Sequence, residues 1–177
     1  MTTFSDRLAL ARKVGVEEFS RAHPDAVLLI EAGLPASQEG ALDTERVTPE
    51  ETARRAAQPP ISTEPRIEPL RKRSGSNAFM SMVTIGRATN NDVVLDARGI
   101  SKFHAYVLRE PGGGFTLVDA GSSYGTHVND RPVKPREEKV PLRGGETVTI
   151  GSVRATFHLP ATLYAALRRL GAPPPRI

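Results

Sequence analysis

From Arg66 onward, the sequence consists of short apolar segments separated by turns rich in Gly, Asn, Asp and Pro. Each segment has strand length, and turns recur about every 8 to 12 residues, which is typical of an all-β sandwich. With 15 Gly and 15 Pro in 177 residues, long helices should be few. The predicted strands cover residues 80–84, 93–95, 103–108, 115–118, 126–128, 148–150 and 155–159. We therefore predict a mainly β fold, a sandwich of short antiparallel strands.

Two further features are a predicted turn within this region and a predicted helix after it. Three glycines, 112–114, follow a proline and predict the turn of a hairpin. They do not predict a phosphate-binding P-loop, because that loop needs a following helix and a strand follows here. Pro160 then begins a short helix that ends near Leu170, with leucines on one face and Gly171 as its stop.

The N-terminal third has a different texture. Apolar residues at nearly helical spacing after Ser5, a candidate N-cap, predict one amphipathic helix from residue 5 to about 22. The apolar run 27–30 fits either a buried strand or the core face of a second short helix. From Pro35 to Pro65 the chain has five prolines and almost no large apolar residue, a composition that predicts a flexible linker.

These features divide the chain into four predicted parts: an N-terminal helical segment (1–34), a linker (35–65), a β-sandwich (66–159), and a C-terminal helix with its tail (160–177). The charge is uneven, since residues 1–65 hold 7 basic and 11 acidic side chains and residues 66–177 hold 17 and 9. The basic part is the better candidate for binding an anion, although charge alone does not choose between nucleic acid and other anions.

Several classes of site are not expected. The chain has no cysteine, which excludes disulfides and thiolate zinc sites, and its four histidines lack metal-ligand spacing. We expect no metal and no cofactor. No apolar run approaches the roughly 20 residues that a membrane span needs, and the first 20 residues lack a secretory pattern. The sequence therefore predicts a cytoplasmic protein that does not bind membranes.

Polar and basic residues gather in the predicted turns. Four segments stand out: Gly86 and Arg87 after one strand, 90–92 (Asn-Asn-Asp), 101–104 (Ser-Lys-Phe-His) and 122–129. An Arg, a Lys and several hydroxyls at strand ends supply hydrogen-bond donors to an anion. Phosphate fits best, because a guanidinium can donate to two of its oxygens at once while hydroxyls and an ammonium contact the others.

These residues resemble the forkhead-associated (FHA) domain, a β-sandwich family that binds phosphothreonine in partner proteins. The family pattern is Gly-Arg after a strand, then Ser-x-x-His, then Gly-Thr-x-x-Asn. Here the elements occur in that order over roughly residues 66–159: Gly86-Arg87, Ser101-x-x-His104, Gly125-Thr126-x-x-Asn129, Leu142-x-x-Gly145-Glu146 and Ile150-Gly151.

The resemblance implies roles by position. Arg87 would hold the phosphate, Ser101 would donate its hydroxyl to it, and Lys102 would add charge. Ser123 and Tyr124 occupy positions that meet the phosphate region and the peptide backbone. The residues implied to brace the loops are Gly86, His104, Gly125, Thr126 and Asn129. Tyr124 departs from the family, which usually has Asn there.

The predicted function is phosphothreonine-dependent recruitment of a phosphorylated partner in kinase signalling. The partner could be a threonine kinase, its substrate, or this protein itself, so a homo-oligomer is possible but not indicated. One alternative is a phosphate-independent scaffold that uses the same sandwich, which the Tyr124 departure favours. Another is nucleic-acid binding by the basic half, which the scarcity of aromatic residues disfavours.

Catalysis is not expected. Ser101, His104 and Asp119 have the side-chain types of a hydrolytic triad, but a Ser and a His three residues apart around a turn seldom place the base on the nucleophile. No oxyanion-binding helix follows the serine. We predict a binding module and not an enzyme.

Overall fold

The computed structural model describes residues 3–31 and 65–170. Within them lie three helices, α1 (Phe4–Lys13), α2 (Val16–Ala22) and α3 (Pro160–Leu170). The strands are β1 (Val27–Ile30), β2 (Arg66–Pro69), β3 (Met82–Gly86), β4 (Val93–Val94), β5 (Ala105–Arg109), β6 (Phe115–Asp119), β7 (Thr126–Val128), β8 (Arg131–Pro132), β9 (Val140–Leu142), β10 (Thr147–Ile150) and β11 (Val153–His158).

The strands form two sheets, and this confirms the predicted β-sandwich. One has the order β2-β1-β11-β10-β7-β8 and the other β4-β3-β5-β6-β9. The registered pairs are antiparallel except β3 with β4, which is parallel. Alternate apolar side chains of both sheets, such as Val148, Phe157, Ile85 and Val107, fill one buried core between them. This alternation is the period-2 pattern from which the strands were predicted.

The predicted hairpin is present between β5 and β6, where the Glu110 N–H donates to the Gly114 carbonyl at 2.8 Å. The predicted C-terminal helix is also present as α3. Strands β2, β8 and β9 were missed. Each has at most four residues, and β8 is exposed throughout, so the apolar pattern that identifies strands is weak there.

The predicted helix from 5 to about 22 is instead two helices with a break at Val14 and Gly15. Thr3, not Ser5, caps α1: its hydroxyl accepts from the Asp6 N–H, and the Asp6 carboxylate accepts from the Thr3 N–H. Gly15 has extended backbone angles and is the N-cap of α2. Val14 is the C-cap of α1, so the C-cap of one helix is followed directly by the N-cap of the next. For this reason the continuous apolar spacing does not give one continuous helix.

The apolar run 27–30, for which two interpretations stood open, is a strand. β1 pairs with β2 on one side and β11 on the other. Leu28 faces the main core, while Val27 faces a second apolar cluster, so both faces of β1 are covered. Burial on both faces removes the polar alternation that would have marked this run as a strand.

The second cluster joins the N-terminal helices to the C-terminal helix. It contains Ala11, Phe19, Leu163 and Leu167, all fully buried, and the Tyr164 hydroxyl donates to the Val14 carbonyl at 3.2 Å. The segment 1–34, predicted to be helical, therefore also contributes a strand to the sandwich. The predicted domain limits stay predictions, and residues 35–64 of the predicted linker lie outside the described residues.

Among residues 3–31 and 65–170, no helix has the length and apolar character to span a membrane.

Candidate functional site

Three loops meet at one end of the sandwich. They connect β3 to β4, β4 to β5, and β6 to β7, and they carry the polar residues singled out in the sequence. The Arg87 N–H donates to the Ser101 carbonyl at 2.9 Å, and the Ser123 N–H donates to the Ser101 hydroxyl at 3.1 Å. Ser101 is thus the point at which the three loops are joined.

Arg87 follows β3, and its side chain is exposed. Its Nε donates to the Ile100 carbonyl at 3.3 Å, which orients the guanidinium along the second loop. Among the described residues its two terminal nitrogens have no hydrogen-bond acceptor. These nitrogens are the pair that can donate side by side to an oxyanion.

The Ser101 hydroxyl is polarised by its neighbour. Its oxygen accepts the Ser123 N–H, so the hydroxyl hydrogen remains available to donate. Ser101 is half-buried and Ser123 is exposed, which leaves this hydroxyl at the protein surface. Ser101 can therefore donate to an anion while staying fixed by the third loop.

Lys102 has an exposed side chain, but its carbonyl is a structural acceptor. The carbonyl receives the Ala88 N–H at 3.1 Å and the Asn91 side-chain amide at 2.7 Å. Gly86 lies directly against the same carbonyl, since a Cβ on Gly86 would lie 2.4 Å from its oxygen. Only glycine fits there, so Gly86 permits the close approach of β3 to the second loop.

Asn91 was not selected as a site residue from the sequence, although its loop was. It is buried, and its side-chain amide donates both to Ala88 within its own loop and to Lys102 in the next. The sequence signal was the Asn-Asn-Asp run in a turn. Such a run indicates that its side chains hydrogen-bond to the backbone, but it does not identify the backbone groups.

His104 is fully buried and links the second loop to the third. Its Nδ1 accepts the Ser101 N–H at 3.0 Å, and its Nε2 lies 3.1 Å from the Gly125 carbonyl, to which it can donate. These partners assign the neutral tautomer with hydrogen on Nε2. Burial lowers the pKa of His104, although the Gly125 carbonyl and Asp119 oppose that effect. With both nitrogens engaged, the ring does not contact the Ser101 hydroxyl as a base would.

Asp119 shapes the third loop from its buried position at the end of β6. One carboxylate oxygen accepts the N–H groups of Gly121 and Ser122 at 2.7 and 2.8 Å. The other accepts the hydroxyls of Ser122 and Thr126, both at 2.6 Å. Burial would raise the pKa of Asp119, but these hydrogen bonds outweigh it and lower the pKa. Asp119 is thus a loop anchor, a role that the sequence reasoning missed.

Gly125 and Asn129 are separated by strand β7. Gly125 has φ +74°, and its carbonyl contacts His104, so it belongs to the loop end. Asn129 lies at the opposite end of β7, where it exchanges two hydrogen bonds with Thr147 at 2.8 and 3.0 Å. The structure therefore does not bring Asn129 to the three loops. Asn129 instead links the β7–β8 turn to Thr147 of β10.

Tyr124 lies at the tip of the third loop and is 72% exposed. Its ring lies beside the second loop, since a Cβ on Gly99 would lie 3.7 Å from the Tyr124 Cγ. Tyr124 is next to Ser123 and therefore close to the Ser101 hydroxyl. An aromatic face thus borders the group of donors.

Among the exposed charged side chains of the three loops, three are basic (Arg87, Arg98 and Lys102) and one is acidic (Asp96). Arg87 and Lys102 have exposed side chains, while the carboxylates of Asp92 and Asp119 are turned inward and saturated by hydrogen bonds. Two cations, a hydroxyl hydrogen and an accessible loop surface are arranged to bind a tetrahedral oxyanion. They offer no base and no nucleophile activated by one.

Comparison with known proteins agrees with this geometry. Residues 83–151 match the model of the FHA domain family. The Glycogen accumulation regulator GarA of Mycolicibacterium smegmatis is 40% identical over 86 residues, covering 48% of this chain and 51% of that protein. The Oxoglutarate dehydrogenase inhibitor of Corynebacterium diphtheriae is 40% identical over 74 residues, covering 42% and 48%. The chain thus spans about half the length of these curated relatives.

A solved structure of Mycobacterium tuberculosis EmbR in complex with a low-affinity phosphopeptide is also similar. It has a TM-score of 0.43 and 28% sequence identity, and the match covers 53% of this chain and 22% of that one.

Proposed function

Since residues 83–151 of this chain are an FHA domain, a phosphothreonine-binding module, we propose that the protein recruits a threonine-phosphorylated partner in kinase signalling. The observation that carries the proposal is the arrangement around Ser101. Its hydroxyl accepts from Ser123, its carbonyl accepts from Arg87, and the exposed guanidinium of Arg87 lies alongside.

Each donor has a distinct task in this proposal. Arg87 donates two parallel hydrogen bonds to the phosphate, Ser101 donates one, and Lys102 adds charge. Ser123 and Tyr124 border the peptide. His104, Gly86, Gly125 and Thr126 maintain the loops without touching the ligand. Because Asn129 bonds only to Thr147 among the described residues, we assign it to the β7–β8 turn.

The names of the relatives agree with a binding role. One is called a regulator and another an enzyme inhibitor. We propose that this protein likewise acts by binding another protein and not by catalysis.

A phosphate-independent scaffold is the second candidate, and Tyr124 favours it. An Asn amide at this position could both donate to and accept from a peptide backbone, whereas Tyr offers a single hydroxyl. At 72% exposed, Tyr124 gives a partner an aromatic contact that needs no phosphate.

The test compares binding of phosphothreonine peptides with that of their unphosphorylated counterparts, for wild type and Arg87→Ala. Charge-assisted hydrogen bonds contribute about 1.5 to 3 kcal/mol each, and we take the loss of the paired contact as about 2 to 4 kcal/mol. Phosphopeptide binding should then weaken on the order of 30- to 1,000-fold. Arg109→Ala is the matched control, because Arg109 is an exposed arginine at the opposite end of β5.

Retained phosphopeptide affinity in a folded Arg87→Ala protein would contradict the proposal. A wild type that binds a partner equally well with and without phosphate would favour the scaffold instead.

A further inference from the structure

An apolar surface adjoins the three loops. Of the six large apolar side chains exposed within the described residues, three lie here: Phe79 (52% exposed), Met80 (81%) and Phe103 (40%). The rings of Phe79 and Phe103 are stacked, with centroids 6.3 Å apart and planes at 8°. Phe103 in turn stacks on Tyr106 of β5, at 6.0 Å and 18°. We call Phe79, Met80 and Phe103 the apolar shelf.

The shelf has a rigid support. The segment between β2 and β3 is held on the sheet by Asp92, whose side chain is fully buried and accepts from Lys72 and Ser76, both at 2.6 Å, and from Thr84 at 2.9 Å. Asn77 belongs to the same network, and its side-chain oxygen accepts the Phe79 N–H at 3.0 Å. The backbone at Phe79 is therefore fixed before any partner binds, which lowers the entropy cost of using it.

Phe103 of the shelf lies in the same loop as Ser101 and Lys102 of the proposed phosphate site. Phe103 directly follows Lys102 and lies two residues after Ser101. An extended peptide advances about 3.3 to 3.6 Å per residue. A segment whose phosphothreonine is held at Arg87 and Ser101 can thus lay a neighbouring side chain on the Phe103 ring.

We propose that the apolar shelf binds one bulky apolar side chain, such as Leu, Met or Phe, from the segment that carries the phosphothreonine. This inference rests on the proposed function and adds a second contact that selects the partner. The partner is then recognised by a phosphate and an apolar residue together. The shelf is too small to pair two copies of this chain, because a stable dimer buries about 800 Å² on each partner and the shelf has three side chains.

The test uses 11-residue peptides with a central phosphothreonine in a background of Ala, Ser and Lys. Each flanking position in turn carries Leu or Ser, and affinity is measured by fluorescence anisotropy. For wild type we expect Leu at one flanking position to bind roughly 3- to 10-fold more tightly than Ser there, as expected for partial burial of one apolar side chain.

Phe79→Ser combined with Met80→Ser should reduce that ratio to about 1 while the Ser peptide binds as before. The support does not use these side chains, so the fold should persist, and Met80→Ser alone provides a variant at an almost fully exposed position. Leu170→Ser is the control, since it removes an exposed apolar residue of α3 and should leave the ratio unchanged.

The two proposals fail in different ways. If phosphothreonine peptides bind but Leu has no advantage at any position, or the double variant keeps the advantage, the apolar shelf is not a docking site. If no phosphothreonine peptide binds better than its unphosphorylated counterpart, the proposed function falls and this inference falls with it.

Discussion

The loop end of the sandwich and its helix-covered face are stabilised in different ways. At the loop end, the side chains of His104 and Asn91 bond to the backbone of a neighbouring loop, and that of Asp119 bonds to the backbone of its own loop. On the helix-covered face, Phe19, Leu163 and their neighbours pack as an apolar cluster. Hydrogen bonds are directional and fix the position of each loop, whereas apolar burial depends mainly on area. We therefore expect mutations in the two regions to separate binding from stability.

Phe19→Ala should have the largest effect on stability. Phe19 is fully buried and contacts the rings of His23 and Tyr164, with centroids 5.0 and 5.5 Å away. Removing a buried Phe ring typically costs about 3 to 5 kcal/mol. Chemical denaturation should show a loss of this size, while the phosphopeptide affinity of the remaining folded protein stays unchanged. Loss of affinity in the folded fraction would show that the helical face also shapes the loops.

Asp119→Ala should reduce both stability and binding. It leaves the N–H groups of Gly121 and Ser122 and the Thr126 hydroxyl without their acceptor, and an unpaired buried group costs about 1 to 3 kcal/mol. We expect a loss on the order of 3 kcal/mol together with weaker phosphopeptide binding, measured by denaturation and calorimetry. Asp119→Asn should be milder because its amide oxygen can still accept. The control is Glu110→Ala, which removes an exposed carboxylate in the hairpin at the opposite end of β5. Full phosphopeptide affinity in Asp119→Ala would show that the third loop does not contribute to binding.

We expect His104 to make the stability of the fold depend on pH. Burial lowers its pKa in the folded protein, so the unfolded chain binds more protons than the folded one below about pH 6.5. Its contribution to stability is therefore fully present above that pH and decreases as the pH falls. Burial also lowers the pKa of His23 and His158, which act in the same direction. Melting temperatures from pH 7.5 to 5.5 should decline less steeply in His104→Gln than in wild type, and an equally steep decline would contradict this role.

Tyr124→Asn should have the smallest effect, and it tests the contact between the third loop and the peptide backbone. An Asn amide could clamp a peptide backbone at two points, where Tyr has one hydroxyl. One neutral hydrogen bond is worth about 0.5 to 1.5 kcal/mol, so affinity for generic phosphothreonine peptides should rise about 2- to 13-fold. Calorimetry on the same peptides measures the change. Weaker binding would mean that Tyr124 makes a favourable contact of its own.

Much of the sandwich could be predicted because its strands alternate between a buried and an exposed face. β5 and β10 show this clearly. The hairpin was predicted from its three glycines, and α3 from the spacing of its leucines between Pro160 and Gly171. The alternation disappears in β1, where both faces are buried, and in β8, where both faces are exposed. The break between α1 and α2 was missed because the apolar spacing continues across it through Val14, the C-cap of α1, and Gly15, the N-cap of α2, has no side chain to mark it.

The candidate site divides in the same manner. Sequence alone predicts the strand-forming pattern, the net positive charge of residues 66–177 and the order of Gly86-Arg87, Ser101-x-x-His104 and Gly125-Thr126. Tertiary contacts place Asn129 beside Thr147, away from the loops, and stack Phe79 on Phe103. The two kinds of feature differ in how far apart their residues lie in the sequence. Strand and turn preferences act between near neighbours in sequence, whereas these contacts join residues that the fold alone brings within a few ångströms.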